Sequence, residues 1–131
     1  MPSTTGSASL SIPLYLGRGR ERRSVAQLRY LQSEMNYTWL VWDTGERLLL
    51  ARSLGYMLAR LPDSDFVRLN RQYVVHRRWV VGLERQSTNG GVVYLTTGER
   101  LPVSRRRWVA VRAQLSGLIP QGQARRHPAG I

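Results

Sequence analysis

The 131-residue sequence contains no cysteine and no lysine. The first absence excludes disulfides, thiolate metal sites and cysteine nucleophiles. The second makes every one of the 20 strongly basic residues an arginine. Acids are scarce: there are eight, and the formal net charge is +12. Those eight form no evident catalytic pair, and no glycine-rich phosphate loop is present. The two histidines, His76 and His127, lack metal-ligand spacing. No enzyme active site, metal or cofactor is therefore expected. Long apolar runs are also missing; none approaches the ~20 residues of a membrane span. The N-terminus lacks a basic flank followed by an apolar stretch, so no signal peptide is expected. These absences point to a cytoplasmic protein with no membrane insertion.

What is present suits one domain with a real core, since 42% of the residues are hydrophobic. The charge is unevenly placed. Residues 24–65 carry four Arg against five acids, a balance of −1, whereas residues 66–112 carry ten Arg against Glu84 and Glu99, a balance of +8. Charge needed only for solubility would be spread more evenly. A concentrated positive segment favours a polyanion, nucleic acid before an anionic membrane surface. Arginine is also the better bidentate partner for phosphate and guanine.

Residues 1–11 are rich in Ser, Thr and Gly and are expected to be disordered. A domain over 12–116 and a flexible basic tail over 117–131, carrying Arg125 and Arg126, complete the expected organisation. Short strands are predicted at 12–16, 22–25, 27–32, 37–42 and 47–51. Ser53 is a candidate N-cap for a helix over 54–60 or 61, ended by Pro62. Residues 66–76 alternate and then run apolar around a polar step, Arg71-Gln72, which reads as strand, basic bend, strand. Further strands are predicted at 79–85, 92–96 and 100–103. Ser104 is a second candidate N-cap, for a helix over about 105–115. Thr-Gly-Glu-Arg-Leu occurs at 44–48 and again at 97–101, as two hairpins with one turn solution. Hairpin connections dominate, so the class is mainly β with antiparallel sheets.

Three places carry candidate chemistry. Arg105, Arg106 and Arg107 would occupy the first turn of the last helix, where the dipole disfavours cations and a bound anion would relieve the conflict. Arg68, Asn70, Arg71 and Gln72 gather at the basic bend; Arg can read guanine, and Asn or Gln adenine. For Asn70, hydrogen bonding within its own loop is an equal reading. Asn36, Tyr37 and Thr38 open the aromatic strand, with Tyr37 either in the core or at a loop tip. The four tryptophans sit inside strand and helix patterns and read as core rather than as base-stacking platforms. His76 reads as a loop hydrogen-bonding residue.

The sequence resembles the LytTR DNA-binding domain of bacterial transcription regulators. The matching stretches are LRYLQSEMNYT from Leu28, LARSL from Leu50, FVRLNRQYVV from Phe66 and LPVSRR from Leu101, in order and register. The resemblance implies about ten strands with two short helices, and DNA contacted from three loops rather than by a recognition helix. Its base-reading positions fall on Tyr37, Arg71 and Arg106. Asn36, Thr38, Arg68, Asn70, Gln72, Arg77, Arg105 and Arg107 are then phosphate or groove candidates. The chain departs from the family pattern at Asn70, Gln72 and His76, and has no room for the usual phosphoacceptor receiver domain. The implied partner is double-stranded DNA with repeated half-sites, with a second copy on DNA or a separate regulatory protein as further partners. The alternatives are a single-stranded DNA or RNA-binding β domain and a protein-interaction module that kept the fold.

Overall fold

The computed structural model of the protein describes residues 11–16, 19–86 and 90–116, with side chains described over 22–86 and 90–116. The N-terminal segment up to residue 10, residues 17–18 and 87–89, and the basic tail from 117 lie outside the described residues. β1 (Ser11–Leu16) and β2 (Gly19–Ser24) form a hairpin of their own. A five-stranded sheet is built from β3 (Leu28–Glu34), β4 (Tyr37–Trp42), β5 (Arg47–Leu50), β6 (Phe66–Arg68) and β7 (Tyr73–His76), ordered β5-β4-β3-β7-β6. The helix α1 (Leu54–Leu58) links β5 to β6. β8 (Val80–Arg85), β9 (Gly91–Leu95) and β10 (Arg100–Val103) form a second sheet, ordered β10-β9-β8, and α2 (Trp108–Leu115) follows. Every strand pairing is antiparallel. The expected class, mainly β with short antiparallel strands and two helices, is the one observed.

The five-stranded sheet is covered on both faces. On one face Leu28, Leu31, Leu40, Trp42, Phe66 and Val74 meet Leu54, Met57 and Leu61 from α1 and its exit. On the other, Tyr30, Val41, Val67 and Val75 meet the second sheet and Trp108, Val111 and Leu115 of α2. Neighbouring residues such as Phe66 and Val67, or Val74 and Val75, therefore point into different cores. This explains why these strands read as apolar runs rather than as clean alternation. The second sheet has one covered face, and β9 and β10 alternate accordingly.

A β-bulge between Leu28 and Tyr30 breaks the β3–β4 register and leaves Arg29 unpaired in the ladder. Arg29 is buried, donating from Nη1 to Glu99 (3.1 Å) and from Nη2 to the Asp43 carbonyl (2.7 Å). The Tyr30 hydroxyl donates to the other Glu99 oxygen at 3.0 Å. Burial, with the Glu99 charge beside it, pushes that hydroxyl up to about 12, so it remains a donor. Glu99 thus joins the two sheets. It comes from the second of the repeated motifs, and the two turns are built alike. Gly45 and Gly98 both have φ of 94°, and each donates its N–H to the residue three back, Trp42 (2.8 Å) and Leu95 (2.9 Å).

Several boundaries differ from expectation, among them β1, which begins at Ser11, and β2, which begins at Gly19 rather than at residue 22. The strand of the basic stretch ends at Arg68, so Asn70 belongs to the loop rather than to a shared strand face with Arg68. Residues Arg77–Trp79 form a 3-10 turn before β8. The last helix begins at Trp108, not at residue 105. Arg105, Arg106 and Arg107 instead form a tight turn in which Ser104 Oγ accepts the Arg107 N–H at 3.1 Å. The helix dipole therefore acts on them from outside the first turn.

Two predictions follow from packing. A methyl group on Gly91 would collide with the Trp108 ring and the Glu84 carbonyl. Gly91→Ala is expected to cost at least about 1–3 kcal/mol, the range for overpacking, read from the urea midpoint. His76 packs against Phe66 with centroids 4.7 Å apart and ring planes tilted by 59°, and its Nδ1 accepts the Arg78 N–H at 3.2 Å. Burial lowers its pKa to about 4, with Arg78 and Arg77 acting in the same direction and Asp65 opposing. The unfolded chain, with an ordinary value near 6.5, takes up the proton first. Stability from neutral His76 is thus complete above pH 6.5 and lost as pH falls towards 4, by up to about 3 kcal/mol. Urea unfolding at pH 7 and pH 4.5 should show the loss, and His76→Asn should flatten it.

Candidate nucleic-acid interface

Antiparallel pairing puts several connections at one end of the five-stranded sheet. Glu34 pairs with Tyr37 across the β3–β4 hairpin, and Thr38 pairs with Leu50 at the end of β5. Gln32 pairs with Tyr73, and the Ser33 N–H donates to the Gln72 carbonyl at 2.7 Å, which sets the β6–β7 loop beside that hairpin. The Ser104 N–H donates to the Leu69 carbonyl at 3.0 Å and brings in the β10–α2 turn. The three loops expected to act together therefore do meet, although they come from two sheets.

Asn70 holds the junction. Its Nδ2 donates to the Pro102 carbonyl at 2.7 Å. Its Oδ1 accepts the N–H groups of Gln72 (2.6 Å) and Tyr73 (3.0 Å). One short amide thus shapes its own loop and ties it to β10. Arg68 is similarly occupied, donating to the Asn70 carbonyl (2.7 Å) and the Arg71 carbonyl (3.2 Å). Arg107 Nε donates to the Arg68 carbonyl at 3.3 Å. Burial and the Arg107 charge both lower the Arg68 pKa, the mark of cations crowded without a counterion.

Arg71, Gln72, Arg105 and Arg106 are different. All four are exposed, and among the described residues no hydrogen bond or ion pair holds their side chains. Arg71 and Arg106 line an open groove of about 800 Å³ together with Arg68, Asn70, Gln72, Ser104, Arg107 and Leu58. No carboxylate lines it. The hydrogen-bonded arginines, Arg68 and Arg107, are half-buried, and the free ones, Arg71 and Arg106, are exposed. Such a surface attracts an anion and can contact it in a bidentate way. Tyr37 stands at the neighbouring hairpin tip, 46% exposed, beside Asn36 and Met35.

Two candidates are placed elsewhere. Thr38 is fully buried and donates its hydroxyl to the Arg52 carbonyl at 2.7 Å, so it supports the edge and offers no surface. Arg77 follows β7 at the opposite end of the sheet, beyond four strand residues that span roughly 13 Å. There its guanidinium donates to the Ser64 carbonyl at 3.0 Å. The structure thus sets Thr38 beneath the edge and Arg77 away from the groove. Leu58 was missed as a groove wall: its helical spacing signals an apolar face but not which edge of that face meets a loop.

A mainly β domain with an arginine-lined groove at a cluster of loops suits an anionic partner. The comparisons make the class specific. The family model described as the LytTr DNA-binding domain matches residues 22–116, so the chain belongs to the LytTR family of DNA-binding domains. Among solved structures it is similar to the LytTr DNA-binding domain of a Bacillus cereus protein described as a methyl-accepting/DNA response regulator. That likeness has a TM-score of 0.70 at 20% identity, and covers 80% of this chain and 95% of the other. No match is found among curated protein sequences. No helix among the described residues is long and apolar enough to cross a membrane.

The Asn70 clamp yields a prediction. Asn70→Ala removes one donor and one acceptor serving three backbone groups, and should cost about 1–3 kcal/mol of stability. The urea midpoint should fall, and backbone amide signals of Gln72 and Tyr73 should exchange faster. An unchanged midpoint would mean that the loop holds its shape without the amide.

Proposed function

We propose that this domain is a sequence-specific double-stranded DNA-binding transcription regulator that enters major grooves with three loops. Arg71 and Arg106 read bases, with Tyr37 contributing from the hairpin tip. Gln72, Arg105 and Asn36 meet phosphates or groove edges, while Arg68, Asn70 and Arg107 chiefly hold the reading loops. The observation that carries this reading is the division of labour at the groove: half-buried arginines held by hydrogen bonds, and exposed arginines left unpaired. Base reading needs side chains that are free to bond yet start from a rigid support.

Tryptophan placement favours a duplex over a single strand. Trp42 and Trp108 are buried. Trp39 has Arg47 over its ring at 4.5 Å, and Trp79 has Arg29 and Arg78 at 5.8 and 5.3 Å. Single-strand binding relies on open aromatic faces for successive bases, and these rings are covered.

The test begins with selection of bound duplexes from a random pool, which defines the site and shows whether half-sites repeat. Arg106→Ala should then cost about 1–3 kcal/mol on the selected site and relax preference at one base pair. Unchanged affinity and preference would remove Arg106 from the reading role. Wild-type affinity should fall steeply with salt, each phosphate contact adding roughly −0.9 to the log–log slope.

A further inference from the structure

Outside the three loops, α1 carries a second arrangement of unpaired charge. Ser53 Oγ accepts the Tyr56 N–H at 3.1 Å and sets the first turn of α1. Leu54 and Met57 then face the core, and Tyr56 faces outward. Two arginines gather on that ring. The guanidinium carbon of Arg60 lies 3.5 Å from the ring centroid and that of Arg52 lies 4.7 Å from it. These distances bound their separation at about 8 Å, one Debye length at physiological salt. Arg60 is fixed further by donation to the Tyr56 carbonyl at 3.0 Å. Both arginines are exposed. The ion pairs among the described residues are Arg23–Glu46 and Arg29–Glu99, so neither Arg52 nor Arg60 has a carboxylate partner there.

The position of this cluster matters as much as its charge. The Arg52 carbonyl accepts the hydroxyl of Thr38, the residue after Tyr37, which anchors Arg52 to the base of the β3–β4 loop. Leu58, two residues beyond Tyr56, forms a wall of the arginine groove. Residues two apart on a helix face different sides, so α1, about 10–12 Å across, stands between the groove and the cluster. A duplex whose major groove, about 12 Å wide, receives Arg71 and Arg106 presents a phosphate strand on either side of that groove.

We propose that Arg52 and Arg60, held on the Tyr56 ring, form an additional binding site for backbone phosphates of the duplex. This rests on the DNA-reading role of the loops and adds a contact surface none of them supplies. Tyr56 is a positioning residue. Its ring holds two long side chains in place before binding, which reduces the rotamer entropy lost on contact. Phosphate contacts set register and affinity without sequence information. The cluster therefore strengthens binding to every duplex alike.

The experiment compares wild-type protein with the double variant Arg52→Gln/Arg60→Gln on the selected duplex and on a scrambled one, across a salt series. The double variant should bind both roughly tenfold more weakly, with the magnitude of the log–log salt slope reduced by about 2. The ratio between the two duplexes should stay the same. Tyr56→Leu should weaken binding in the same non-specific way and Tyr56→Phe should restore it, with circular dichroism confirming the fold of each. Wild-type slope and affinity in the double variant would overturn the proposal while leaving the loop reading intact. So would a loss confined to the selected duplex, which would make these arginines base readers. Absence of duplex binding by the wild type would remove both readings.

Discussion

Burial of the five-stranded sheet on both faces governs this domain. One face lies under α1 and the other under the second sheet and α2. Neither face of this sheet is left open for a ligand. The short helices are likewise spent on closing cores: α2 buries Trp108, Val111 and Leu115, and α1 buries Leu54 and Met57. Besides the outer face of the second sheet, what remains free is the set of connections at the sheet ends. A basic protein built this way can meet a polyanion through its loops, and the rigidity of those loops comes from the double-sided packing behind them.

The loop cluster shows how a rigid scaffold is carried into irregular chain. Asn70 replaces missing ladder hydrogen bonds with side-chain ones, and the Leu69–Ser104 backbone bond crosses from one sheet to the other. Arg68 and Arg107 add bonds to carbonyls instead of to acids. The result concentrates positive charge with no counterion beside it. That placement costs stability through like-charge repulsion, and a bound phosphate would relieve it.

Much of this was legible in the sequence, for identifiable reasons. Aromatic and β-branched runs marked the central strands, and Thr-Gly-Glu-Arg-Leu marked both hairpins because a positive φ is needed at one position of each. Ser53 was a readable cap, and its hydroxyl does serve Tyr56. Ser104 was read as a helix cap but caps a tight turn, since local signals do not distinguish a turn from the first turn of a helix. Arg77 looked like a neighbour of Arg71 because the two are close in sequence; a strand between them carries it to the far end of the sheet. The Asn70 bond to Pro102 spans 32 residues, and no local pattern encodes it. For the same reason sequence alone left Asn70 poised between ligand contact and loop support.

The two repeated hairpins have a practical meaning beyond holding the sheets. Both turns lie at the end of the molecule away from the arginine groove, since β4 and β10 each run from a hairpin of this kind or to the loop cluster at the other end. The Cβ directions of Gly45 and Gly98 point into open space. Their backbone angles make substitution at the glycines themselves unfavourable, but Thr44, Thr96 and Thr97 beside them are exposed, while Glu46 and Glu99 are held by Arg23 and Arg29. A fluorophore, an affinity handle or a fused domain attached there would hang from the back of the module. The two ends are thus separable, and cargo can be changed at the one without obstructing the arginine groove at the other.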